Sequence, residues 1–146
     1  MKVSEIKLVY KTKQRTKDRP QVRCSKDAAT VFKPFFDTDT IELKEEIHLM
    51  LLNASAKVLG VVNLCHGTGG SAFVDKRLIA AAAIKSNAKQ VILAHNHPSG
   101  NNTPSPDDII STKEVRKALN LFNISLNDHL IITKTDYYSM ADNGEI

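Results

Sequence analysis

A chain of 146 residues, 42% hydrophobic and 25% charged, is long enough for one real core. No apolar run reaches the roughly 18 residues of a membrane span, and Met1-Lys2-Val3-Ser4-Glu5 shows no apolar stretch of a signal peptide, so neither a membrane span nor a signal peptide is expected. Two cysteines, Cys24 and Cys65, lack the spacing of a disulfide framework and predict reduced thiols in a cytoplasmic protein.

The net charge of +4 is uneven. Residues 1–26 hold nine Lys or Arg against Glu5 and Asp18, a local net of +7, which leaves the remainder at −3. Such an arm suits a polyanion such as nucleic acid, although Tyr10 alone supplies an aromatic for stacking. Within it, Ile6, Leu8 and Tyr10 alternate and predict an edge strand, followed by a charged loop over 11–20. Ser25 is then expected to cap a helix to about Phe36, with Ala28, Ala29, Phe32 and Phe35 inward and Pro34 shortening or kinking it.

Residues 47–52 and 57–64 read as two strands around the turn Asn53-Ala54-Ser55-Ala56. Gly67-Thr68-Gly69-Gly70 is a loop, Asp75 caps a helix over 76–87, and 90–95 form a strand. The next helix is expected over 105–122, with Ser105 as N-cap, Pro106 at the first helical position, acids in the first turn, and Ile109, Ile110, Val115, Leu119 and Phe122 as its core stripe. Strands over 127–133 and 137–140, joined by Lys134-Thr135-Asp136, complete a sheet with helices on its faces.

The chemistry concentrates in His95-Asn96-His97-Pro98-Ser99-Gly100 and the following Ser105-Pro106-Asp107-Asp108. Positions i and i+2 of a strand share a face, roughly 6.5–7 Å apart, so His95 and His97 at a strand end converge on one small ion. Two imidazoles and a carboxylate, from Asp107 or Asp108, suit a catalytic zinc with an open fourth position, where a water becomes a nucleophile. Asn96 and Ser99 are candidates for hydrogen bonds behind these ligands. His48, His66 and His129 carry no ligand spacing of their own.

Read from His95, the order His-x-His, seven residues, Ser105, two residues, Asp108 resembles the JAMM (MPN-plus) metalloprotease pattern. The wording His-Asn-His-Pro-Ser-Gly, then Pro-Ser-x-x-Asp, resembles its RadC-like branch, from about Asp39 to about Met140. The resemblance implies an α/β fold, a three-layer α/β/α mixed sheet similar to that of cytidine deaminases. It implies a RadC-like domain over 39–146, with 1–38 as a basic N-terminal segment. It selects Asp108 as third zinc ligand, gives Ser105 an oxyanion-stabilising role and requires an upstream glutamate as general base. Alignment of Leu51-Leu52-Asn53 with the family's strand end selects Glu45, while Glu46 lies one residue away on the opposite face, where a slip of one residue reverses the choice. The implied activity is zinc-dependent hydrolysis of a peptide or isopeptide amide in a protein substrate. The alternative is the family's DNA-repair association, with residues 1–26 binding nucleic acid; the helix-hairpin-helix region usual ahead of such domains is not seen in residues 1–40. A deaminase is excluded because neither His-x-Glu nor Pro-Cys-x-x-Cys occurs.

Overall fold

Strands that are apolar on both sides need cover on both sides. A computed structural model of the chain describes residues 3–5, 9, 14–66 and 75–146. The strand expected around Ile6 and the loop at Gly67–Gly70 lie outside the described residues. Five strands form one mixed sheet: β1 (Glu46–Leu52), β2 (Val58–His66), β3 (Gln90–Asn96), β4 (Ser125–Ile132) and β5 (Tyr137–Ser139). Their spatial order is β2-β1-β3-β4-β5. β1 runs antiparallel to both β2 and β3, β3 and β4 are parallel, and β5 returns antiparallel to β4. A parallel pair needs a crossover, which helix α3 (Pro106–Asn120) supplies between β3 and β4.

Two cores flank the sheet. On one face Met50, Leu52, Ile92, Ala94, Leu130 and Ile132 meet Ala28 and Phe32 of α1 (Ser25–Phe32). On the other, Ile47, Leu49, Leu51, Val91 and Leu93 meet Ile79 and Ala83 of α2 (Lys76–Lys85) and Val115 and Leu119 of α3. The fold is therefore the expected α/β sandwich of helices around a mixed sheet. No helix among the described residues is long and apolar enough to cross a membrane.

Local chemistry explains most boundaries. Asn53 Oδ1 accepts the backbone N–H groups of Ser55 and Lys57 and shapes the β1–β2 turn. Asp75 caps α2 by accepting from the Arg77 and Leu78 amides. That helix stops at Lys85, two residues before the expected end, because Asn87 turns left-handed at φ 53° and the Ala88 N–H returns to the Ala83 carbonyl.

Three expectations are corrected. Ser25 is the first helical residue and not the cap: Cys24 holds the extended cap conformation, and the Ser25 hydroxyl donates to Asp142 instead. Phe35 does not face the core. Pro34 cannot continue the α-helix, so the chain tightens into a 3-10 turn, Lys33–Phe35, which leaves Phe35 45% exposed and buries Phe36. Ile110 in α3 and Phe122, two residues beyond its end, are exposed, and the inward stripe runs through Thr112, Val115 and Leu119. A polar residue occupies the first core-facing turn there because the site beneath is polar.

Candidate metal centre

The strand end and the helix start meet. β3 alternates: Val91 and Leu93 face the α2–α3 side, so His95 does too, and His97 follows just beyond the strand. α3 begins beside them with a capping box. Ser105 Oγ accepts the Asp108 N–H at 3.1 Å, and Asp108 Oδ2 accepts the Ser105 N–H at 2.7 Å. Oδ2 also receives the Ser105 hydroxyl at 2.6 Å. The box holds the Asp108 carboxylate against the histidines: Oδ1 is 3.4 Å from His95 Nε2, and Oδ2 is 3.4 Å from His97 Nε2.

The structure thus brings His95, His97 and Asp108 together, with one ligand atom from each inside a 4.8 Å group. The two Nε2 atoms are 2.9 Å apart. His97 Nδ1 lies 2.8 Å from the Asn101 carbonyl, which can only accept, so Nδ1 carries a hydrogen and Nε2 is the nitrogen turned to the group. The turn that returns Asn101 to His97 uses Gly100 at φ 75°, its N–H on the His97 carbonyl. Lone pairs and a carboxylate converging at these distances fit a small divalent cation. Burial works to raise the Asp108 carboxyl, while the Ser105 hydroxyl and amide donated to it work to lower it, and Asp108 is held well below the usual carboxylate range.

The two glutamates separate by face. Ile47 pairs with His95 across the β1–β3 ladder and shares its face. One step back along β1 and one forward along antiparallel β3, Glu46 falls opposite Asn96 on the α1 side. Its buried carboxylate is paired with Lys44 and lies 3.7 Å from His48 Nε2. Glu45 is half-buried one residue before β1, and the alternation of the strand, if extended by that residue, would turn it to the His97 side. Glu45 is not in the three-residue donor group. Ser105 is exposed and touches the group through Asp108.

Asn96 does more than its place in the motif announces. It is fully buried and faces away from the histidines. Its amide nitrogen donates to the carbonyls of Ile41, at 2.6 Å, and Lys44, at 2.9 Å, and its oxygen accepts the Glu46 N–H at 2.8 Å. The segment carrying Glu45 is clamped to the strand carrying both histidines. Ser99 does not reach a histidine; its hydroxyl accepts the Asn101 N–H. Two further residues behind the group escaped the sequence reading. Thr112 has no motif signal beyond its i+4 distance from Asp108, and the His129 ring stacks against His95 at 4.7 Å between centroids.

The chain matches the RadC-like JAB domain family over residues 22–145. It belongs to that family. It is 42% identical over 127 residues to a UPF0758 protein of Porphyromonas gingivalis, covering 86% of this chain and 55% of that one. A UPF0758 protein of Flavobacterium johnsoniae is 38% identical over 125 residues, 85% of this chain and 53% of that one. One from Thermotoga maritima is 34% identical over 103 residues, 70% of this chain and 46% of that one. This RadC-like chain spans about half the length of the curated relatives it matches. The matched region includes α1, whose residues share a core with β1, β3 and β4.

Proposed function

We propose that this RadC-like domain is a zinc-dependent hydrolase of the JAMM type that cleaves a peptide or isopeptide amide bond. The observation that carries the reading is the convergence of His95 Nε2, His97 Nε2 and an Asp108 carboxylate oxygen on one point. Tetrahedral zinc, with bonds of about 2.0–2.2 Å to nitrogen and oxygen, holds its ligand atoms about 3.3 Å apart. The two imidazole nitrogens are 2.9 Å apart and each lies 3.4 Å from one of the two Asp108 oxygens, His95 from Oδ1 and His97 from Oδ2, so every donor has a neighbour near that spacing. When bound, zinc supplies a Lewis acid that polarises a carbonyl and acidifies a water.

The chain's own residues do the rest. Glu45 takes the proton of the attacking water and delivers it to the departing amine. Asn96 holds the Glu45 segment against β3 and keeps that transfer short. Ser105 Oγ–H turns from Asp108 to the oxyanion as charge develops, while the Ser105 backbone N–H stays on Oδ2 and holds the ligand in place.

Elemental analysis of the wild type beside His97→Ala tests the reading. About one zinc per chain is expected in the wild type and none in the variant, since the site keeps three protein ligands only when His97 is present. Chelator-sensitive release of amine from peptide and isopeptide substrates should accompany the metal. A folded wild type that takes up no zinc would overturn the proposal.

The charge of residues 1–26 favours a second reading, a nucleic-acid contact ahead of the domain. Binding to duplex DNA should then weaken steeply with salt and vanish when residues 1–26 are deleted. Equal affinity before and after the deletion would remove that reading.

A further inference from the structure

His95 has a partner on each ring nitrogen. Nε2 faces His97 and Asp108, while Nδ1 lies 2.8 Å from His129 Nε2. The other nitrogen of His129, Nδ1, is 2.6 Å from Thr112 Oγ1. Thr112 Oγ1 is in turn 2.6 Å from the backbone carbonyl of Asp108, one helical turn earlier.

The direction of this chain follows from its last member. A carbonyl oxygen has no hydrogen, so the Thr112 hydroxyl donates to Asp108, and a hydroxyl has only one hydrogen to give. Thr112 Oγ1 can then only accept from His129, which puts the hydrogen on His129 Nδ1. His129 is 2% exposed, and a charge buried there is costly, so the ring is neutral and its Nε2 is bare. Bare Nε2 accepts from His95 Nδ1–H. The reverse direction leaves two oxygens 2.6 Å apart with no hydrogen between them and places a hydrogen on the atom of His95 that faces the cation position.

The geometry points to Thr112 and His129 as positioning residues of the metal centre: together they hold the hydrogen of His95 on Nδ1 and turn its Nε2 lone pair toward the ion. The same wire ends on the backbone of Asp108, so two of the three donors are tied by one buried column. His97 needs no such column, since its Nδ1 meets a backbone carbonyl directly. The inference rests on the zinc reading for its purpose, but the ring protons it assigns are a property of the metal-free protein.

Two measurements test it. In ¹⁵N-labelled metal-free protein, long-range ¹H–¹⁵N correlations should find the ring hydrogens of both His95 and His129 on Nδ1. A hydrogen on Nε2 of His129 with Nδ1 bare would overturn the assignment, whatever the zinc content. Competition against a chromophoric chelator then compares zinc affinity in Thr112→Val and Thr112→Ser. Valine keeps the shape and loses the hydroxyl, and should weaken binding about 10–100-fold; serine restores the hydroxyl and should restore affinity. Wild-type affinity in a folded Thr112→Val variant would overturn the positioning role. If the wild type binds no zinc, the hydrolase reading falls, and the ring hydrogens still decide the relay.

Discussion

Glu45→Gln is expected to retain zinc and to lose turnover by about 10²–10⁴-fold, the usual contribution of a positioned general base. The side chain keeps its size and loses its ability to accept a proton. The prediction follows from strand register. With Ile47 opposite His95, the alternation of β1 puts Glu46 on the side of α1, and extended one residue ahead of the strand it would carry Glu45 to the His97 side. Glu46 is already committed to Lys44 and sits near His48, behind the sheet from the donor group. Glu46→Gln is therefore the control: it should keep most of the turnover. Zinc content and single-turnover rates of the two variants decide the matter, and a larger loss in Glu46→Gln would assign the base to the other face.

Asn96→Ala should be among the most destabilising single changes in the chain. It strips partners from two carbonyls, Ile41 and Lys44, and from the Glu46 N–H. Each buried polar group left unsatisfied costs roughly 1–3 kcal/mol, so a loss of about 3 kcal/mol or more is expected in urea unfolding of the metal-free protein. The remaining folded protein should bind zinc, since both imidazoles stay on β3, but hydrolyse slowly because the Glu45 segment is no longer clamped. A loss under about 1 kcal/mol with unchanged turnover would mean that water replaces the amide and that the clamp is dispensable.

Much of this was legible in order along the chain. The apolar runs that became β1 and β3, the Asp75 cap and the Ser105 capping box are local signals, and each sits where its neighbours along the chain require it. The misses have causes that are distant in sequence. At the start of α1 an extended Cys24 takes the cap, since the Ser25 hydroxyl finds Asp142, 117 residues away in sequence. In α3 hydrophobicity alone nominated Ile110 and Phe122, whereas the inward turn belongs to Thr112, because what lies beneath it is His129 and not an apolar wall.

The sequence by itself determined that two imidazoles share a face at a strand end and that a carboxylate waits at the next helix start, because period-2 alternation and helix capping act over a few residues. The tertiary structure alone decided which groups stand around them. The antiparallel β1–β3 register put Glu46 on the α1 side, away from the histidines, and register is a property of a pair of strands. A one-residue register shift in β4, between the partners of Val91 and Ile92, leaves Asn127 over and carries His129 to the face of Leu126. Simple alternation from Leu126 would have turned His129 away. A bulge of that kind is written in the pairing of two strands, so the ring behind His95 became visible only once β3 and β4 lay side by side.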